Sequence, residues 1–533
     1  MKKYEYLIFA TGAVTLALEV LASRIMTPYF GVSLYIWTGI LSITLTFLAI
    51  GYNLGGWITR RAAEGSLEGI FLAAPVLSAA SIAVSAALYP VLFSPLSQAN
   101  LIVGSFVGAT LLLALPLIAL SAMNPLLIGL QRPHGDSGDA TGSGDAGAGR
   151  VFFISTVGSV AGVLLTAFLF IPNMTNFRAV LALGLALCIA AAAFGLAAPA
   201  AAGVRKRALI ISCAIVGLVC AGLFGAKDDY LKTVAAGGDK RLAFEVRAEY
   251  TSVFGNVKVV EVTALVGAYE PQRLFIQDGI IQNRTNFDNL SLTLYTYVLE
   301  ALAHAFVPDA KRALILGLGA GIVASRLQRG GIDVTVVDIN TDILAAARDH
   351  FGFKGNGVEV DIEDARTFVN RCQRSYDVVI VDLFLGDSVP DYLLTRQFFA
   401  DIRGCARQHG ALVMNAFFDD KNDVPNKRLL ATIGAAFPGV FVFGDARQNI
   451  FLAGTGGAIP RAFPHPIIEE MPNPIQEPVR AMLKSGRRVA AAALAGAAPV
   501  GDEHNIFSVL FAPLNMRERQ VMAGRLPPWL LVN

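Results

Sequence analysis

Seven apolar stretches, each long enough to cross a bilayer, fill the first 226 residues and constrain the fold of this chain more than any other feature. A spanning helix needs about 20 mostly apolar residues to cross a hydrocarbon core about 30 Å thick. The stretches lie near Tyr4–Ala22, Leu34–Ile58, Leu67–Leu92, Leu101–Leu130, Val151–Ile171, Ala179–Ala198 and Ala208–Ala226. Backbone polar groups in lipid must be satisfied internally, so runs of this kind read as a multi-span α-helical membrane domain over residues 1–226. Lys2 and Lys3 before the first run imitate a signal peptide, but the spans behind it make it a first membrane helix. The fourth run is over-long and carries Pro116 and Asn124-Pro125, where a kink or re-entrant end is expected. Gly158, Ala161 and Gly162 form a small-residue face suited to close helix packing. Gly135–Gly149 (GDSGDATGSGDAGAG) reads as a flexible loop. Glu19, Arg24 and Asn53 are the polar exceptions, as a Glu19–Arg24 pair near the membrane surface or as part of a pocket.

Sidedness carries a conflict. Lys2-Lys3, Arg60-Arg61, Arg132, Arg150 and Arg205-Lys206-Arg207 fall on one side, against Arg24 and Arg178 on the other. Positive charge stays in the cytoplasm, so the N-terminus is cytoplasmic and seven spans place the rest of the chain outside. A soluble half that works on a metabolite made in the cytosol argues the other way. Either one span is miscounted, or the soluble part works outside with an imported cofactor; the first is expected, as a multi-pass protein of the cell inner membrane with its soluble part in the cytoplasm.

Beyond residue 226 the charge density becomes that of a soluble protein. The whole chain has a net charge of +2, so charge makes no case for nucleic acid. The five cysteines show no C-x-x-C or metal spacing, so neither zinc nor a disulfide framework is implied. Residues 227–300 read as a linker and a small β subdomain, with strands in Val253–Thr263 and Gln272–Asp278. Asp288–Phe306 has helical spacing. Residues 301–460 alternate strands and helices: Ala313–Leu318, a helix from about Ile322 to Arg329, Asp333–Asp338, Val358–Asp361, Tyr376–Asp382 and Ala411–Asn415. That order implies a parallel, Rossmann-like α/β domain, with residues 461–533 as an extension.

Ligands in such sheets bind at the carboxyl ends of the strands, and the acids gather there. Gly317, Gly319 and Gly321 follow the first strand and let backbone approach a ligand. Asp338 ends the second strand, where a carboxylate can accept both ribose hydroxyls. Asp364 follows the third and can take the exocyclic amine of adenine. Asp382 ends the fourth, close to a reacting carbon. A lone G-x-G-x-G is weak, but the full order of glycine turn and three acids points to a nucleoside site.

The segments RLFIQDGIIQ, EALAH, LILGLGAG, VVDIN, EDARTF and YDVVIVDLFLGDSVPDYLLT resemble the polyamine aminopropyltransferases, the spermidine synthase family, over about Tyr250 to Ala453. The membrane half, in LALEVLASRIMTPYFGVSLYIWTGILS and STVGSVAGVLLTAFLFIP, resembles the membrane-fused group of that family, as does the tail GDEHNIFSVL. The resemblance implies that Asp278 and Gln282 belong to a D-G-x-x-Q element beside the site and that Gly317, Gly319 and Gly321 form the cofactor loop. It makes Asp338 and Asp364 the ribose and adenine acids and Asp382 the catalytic aspartate. Glu300 falls at the end of the family's Y-H-E-x-L-A-H helix and is counted with the substrate side. Three positions depart from the family. Ala320 stands where an acid holds the donor's ammonium, Leu385 where a second acid grips the diamine, and Val298-Leu299 replace Tyr-His. Asp387 is a nearby candidate substitute for the acid missing at Leu385.

The resemblance thus implies a transferase that takes S-adenosylmethionine or its decarboxylated form, without a metal, and alkylates an amine. The stripped acceptor side and the fused membrane half point to a small-molecule or lipid-like amine, and a homodimer is the expected assembly. Rival readings are an S-adenosylmethionine-dependent methyltransferase, and a transporter or pseudoenzyme with a cofactor-sensing domain.

Overall fold

The computed structural model describes residues 2–62, 66–131, 143–197, 203–267, 269–372, 376–444, 450–455 and 471–533. The chain divides into two compact units, Met1–Gly238 with Gln520–Asn533, and Asp239–Arg519. The small β subdomain, the Rossmann-like segment and most of the C-terminal extension therefore share one unit.

The first unit has seven helices long and apolar enough to cross a membrane. They are α1 (Lys2–Phe30), α2 (Leu34–Arg61), α3 (Leu67–Ala99), α4 (Leu101–Gln131), α5 (Ser143–Leu165), α6 (Asn176–Leu196) and α7 (Gly203–Gly225). The count among the described residues agrees with the seven apolar runs. α4 stays helical through Pro116 and Pro125. α5 runs on through one π-helical turn, Thr166–Phe170. Of the expected flexible loop, Ser143–Gly149 instead forms the start of α5, and residues 135–142 lie outside the described residues. Extending an existing helix adds a hydrogen bond per residue without a new nucleation step.

The small-residue face works as expected. A Cβ on Gly158 would lie 2.2 Å from the Phe9 carbonyl oxygen, and one on Gly162 2.0 Å from that of Ala13. Ser159 Oγ donates to the Gly12 carbonyl at 3.0 Å. Such close backbone contact and hydrogen bonding hold α1 to α5.

The second unit opens with an antiparallel sheet of β1 (Leu242–Ser252), β2 (Gly255–Ala264), β3 (Gln272–Gln277) and β4 (Ile280–Thr285), in that order. Two of the four were not read from the sequence. β1 (LAFEVRAEYTS) is interrupted by charge because it is only partly buried, and β4 carries Asn283 and Arg284. Asp278 and Gly279, at φ 47° and 80°, form the two-residue turn between β3 and β4. Such hairpins need positive φ at both positions, which Asp-Gly supplies.

The larger sheet contains β5 (Arg312–Leu316), β6 (Asp333–Asp338), β7 (Val358–Ile362), β8 (Tyr376–Val381), β9 (Ala406–Ala416), β10 (Gly439–Phe443), β11 (Ile450–Thr455) and β12 (Arg487–Arg488). Their order is β12-β10-β11-β9-β8-β5-β6-β7. β5 through β9 are parallel, and β11, β10 and β12 complete the sheet with antiparallel pairings. Alternate residues of each central strand feed two cores. Ile315, Val336 and Ile380 pack on one face, and Leu316, Val337 and Val381 on the other. Burial on both faces explains why these strands read as continuous apolar runs. Strand order reverses between β5 and β8, and the crevice outside their carboxyl ends is where such a sheet binds ligands. One correction concerns the cysteines. Cys372 and Cys405 form a disulfide, with Cα atoms 5.2 Å apart. The helices Ala365–Arg371 and Arg396–Cys405 bring their ends together, which residue spacing alone does not reveal.

Candidate functional site

The carboxyl edge of the sheet assembles the acids in one row. Leu316 at the end of β5 pairs with Val337 of β6 on one side and Val381 of β8 on the other. Asp338 and Asp382 are the next residues, so they flank the glycine turn. A Cβ on Gly317 would lie 2.2 Å from the Asp382 carbonyl oxygen, and one on Gly321 2.7 Å from the Phe353 ring. Those two glycines, at φ 97° and 74°, close the packing of the turn. Gly319 has nothing within 4 Å of its missing Cβ, so it is the glycine that leaves room for a ligand.

Asp338 is buried and accepts backbone N–H groups from Leu318 and Asn340, each at 2.9 Å, one on each oxygen. Burial pushes its carboxyl above the usual range against the pull of those hydrogen bonds. A carboxylate offers about four acceptor positions, so this bracing of the glycine turn leaves capacity for a ligand's hydroxyls. Asp364 caps the helix Ala365–Arg371. Its Oδ1 accepts from the Thr367 amide at 2.9 Å, and its Oδ2 accepts from the Tyr392 hydroxyl at 2.7 Å.

Asp382 lines a pocket at this edge of the sheet. Leu299, Leu318, Ala320, Val323 and Ile380 supply apolar wall, while Asn283, Tyr295 and Thr296 supply neutral hydrogen-bonding groups. Asp382 is the one acid among the described residues lining it. Burial raises its carboxyl to about 6, opposed by a hydrogen bond from Asn415 Nδ2 at 2.9 Å. Tyr295 accepts from Asn283 Nδ2 at 3.1 Å, and Asn283 in turn accepts from the Thr293 hydroxyl at 3.2 Å. Burial first, and the Asp382 charge second, push the Tyr295 phenol upward. A carboxyl that titrates near neutrality in an apolar pocket can take a proton from an incoming nucleophile.

The remaining expected site residues are placed differently. Asp278 is a turn residue whose Oδ1 accepts from the Asn256 amide at 3.0 Å, and Gln282 donates to the Gly386 carbonyl at 2.7 Å. Both hold the hairpin and the loop after β8, and neither lines the cavity. Leu385 is partly exposed in that loop. Asp387 does not stand in as a second acid for an amine, because it is buried against Arg519, which donates from Nε at 2.9 Å. Glu300 requires a similar correction. It forms a buried ion pair with Arg326, whose guanidinium lies 4.9 Å from the centre of the Tyr297 ring, and does not line the cavity. Sequence reasoning missed Asn283, Tyr295, Asn415 and Arg519. Asn415, at the end of β9, had a signal in its strand-end position. The others converge from separate elements without any local pattern.

Residues 292–435 match the spermine/spermidine synthase domain family. A polyamine aminopropyltransferase of Vibrio vulnificus is 31% identical over 134 residues, which are 24% of this chain and 45% of that protein. An N-terminal histidine N-methyltransferase of Emericella nidulans is 30% identical over 139 residues, which are 25% of each chain. The chain spans less than half the length of either relative. A probable spermidine synthase from Corynebacterium glutamicum, known from its crystal structure, is 19% identical, with a TM-score of 0.40 over 48% of this chain and 97% of that one.

Proposed function

We propose that this chain, whose C-terminal part carries a spermine/spermidine synthase domain, is a membrane-bound transferase that moves an alkyl group from an adenosyl sulfonium donor to an amine. The observation that carries this reading is Asp382, an acid raised toward neutrality, in an apolar cavity beside the glycine turn and Asp338. In the proposed step the amine nitrogen attacks the carbon next to the donor's sulfonium. The C–N bond forms, the C–S bond breaks with its electrons passing to sulfur, and the amine's proton goes to Asp382. Gly319 leaves space for the nucleoside, Asp338 offers acceptor positions for the ribose, and Asp364 for the adenine amine. Decarboxylated S-adenosylmethionine would leave methylthioadenosine. The test is purified protein with each donor and an amine, read by mass spectrometry of the nucleoside product.

A methyl-transfer reading is favoured by one observation. Ala320 is buried in the glycine turn, so that turn offers no carboxylate to a donor's aminopropyl ammonium. S-adenosylhomocysteine formed from S-adenosylmethionine would decide for it. The apolar cavity and the seven apolar helices together support a lipid-like or membrane-delivered amine as acceptor.

Asp338→Ala is expected to weaken methylthioadenosine binding by about 1.5–3 kcal/mol, the worth of a hydrogen bond to a charged group. Calorimetry on a folded variant checks it, and unchanged affinity would leave Asp338 a brace of the glycine turn alone.

We also infer that the second unit lies on the face of the membrane opposite the N-terminus. Seven spans and the positive charges on the N-terminal side support that side. The donor would then have to reach it across the membrane. Protease added to intact spheroplasts should digest this unit; resistance until lysis would place it in the cytoplasm.

A further inference from the structure

A buried arginine underlies the loop that follows Asp382. Arg519, on the helix Ala512–Ala523, is wholly buried. Its Nε donates to Asp387 Oδ2 at 2.9 Å, and one terminal nitrogen donates to the Asp278 carbonyl at 2.5 Å. A Cβ on Gly386 would lie 3.1 Å from the other terminal nitrogen, so the guanidinium rests against that loop's backbone. The loop follows Asp382 directly. Gln282 pins it by donating to the Gly386 carbonyl, and the neighbouring residue on β4 is Asn283 of the cavity wall. Arg519 therefore ties the hairpin that supplies Asn283 to the loop that follows the reacting acid.

We propose that Arg519 is a specificity-determining residue that fills, from within the protein, the role of a second substrate ammonium. The inference rests on the transferase reading above. Asp387 is the one acid between Leu383 and Val389, and a buried carboxylate needs a cation partner. A diamine bound with one nitrogen at Asp382 could offer its distal ammonium to Asp387. Here the guanidinium already holds that carboxylate with directional hydrogen bonds on a planar, permanently charged group. The acceptor is thus left to bring one amine, with an apolar remainder suited to the cavity wall. Arg519 lies beyond residues 292–435, so the domain match does not reach it.

The test compares putrescine with butylamine, which differ in the second amine. Full-length wild type, Arg519→Met and Arg519→Met/Asp387→Asn are assayed with decarboxylated S-adenosylmethionine. Wild type should prefer butylamine. Arg519→Met should shift the kcat/KM ratio toward putrescine by about 10–100-fold, the worth of one hydrogen bond to a charged group. The double variant should lose the shift, since the released carboxylate is gone. Arg519→Gln removes the charge while keeping a donor, and should move the ratio the same way if the Met variant does not fold. An unchanged ratio in either folded variant overturns the proposal, as does failure of both to fold, which would make the pair a folding element alone. If neither amine turns over, the transferase reading fails. Calorimetry of both amines on the methylthioadenosine-bound protein then still reads the preference and judges Arg519 separately.

Discussion

Asp382→Asn is expected to lower turnover by about 10²–10⁴-fold, the usual contribution of a positioned acid–base group, with little change in nucleoside affinity. The side chain keeps its size and its neighbour Asn415 but can no longer accept a proton. Nucleoside binding depends in this account on Asp338, Asp364 and the space at Gly319, and those are untouched. The pH profile provides a second signature. Burial raises the Asp382 carboxyl to about 6. It is protonated and unable to act as a base below that value, so the rate should fall as pH drops through about 6. This acid limb should be missing from the residual activity of the variant. If Asp382 serves instead to order the loop after β8, the variant would lose melting temperature and nucleoside affinity together, or stay fully active.

Glu300→Ala should destabilise the second unit by about 3–5 kcal/mol, because it leaves Arg326 buried without its counter-ion. Both side chains are nearly inaccessible, at 6% and 5% exposure, and they join the helices Leu294–Phe306 and Ile322–Arg329 beneath the glycine turn. Replacing the pair together, as Glu300→Leu with Arg326→Met, should recover most of that loss, since a buried ion pair adds little over well-packed apolar groups. Denaturant unfolding measures both. An acceptor-binding Glu300 would behave differently, with stability retained and KM for the amine raised.

Most of the sheet's carboxyl edge was legible in the sequence because a parallel strand buried on both faces shows as an apolar run with an abrupt end. The residue at that end sits where ligands bind, which is why Asp338 and Asp382 could be read from DVTVVD and YDVVIVD. The residues around Asp382 and the loop after it were not legible in this way. Asn283 comes from a short hairpin strand, Tyr295 from the helix beyond it and Arg519 from the far end of the unit. No spacing rule connects Asn283 with Tyr295, or Asp387 with Arg519, which meet through tertiary packing. The D-G-x-x-Q element shows the opposite difficulty. Asp278 and Gln282 were legible as a motif, but Asp278-Gly279 makes a two-residue hairpin turn and Gln282 fastens a loop, so their chemistry here is geometric. Glu300 was likewise read from motif position, and its partner Arg326 becomes visible as such once the two helices pack. The small-residue face of α5 was legible because close backbone approach in lipid leaves no room for side chains, a rule that acts along one helix.

The most direct test of alkyl transfer at Asp382 is nucleoside product formation by wild type and Asp382→Asn from decarboxylated S-adenosylmethionine and butylamine, on preparations shown to bind methylthioadenosine equally. The account predicts methylthioadenosine from wild type and a yield lower by about 10²–10⁴-fold from the variant. Equal yields from the two proteins, or no nucleoside product from wild type with either donor, would contradict it.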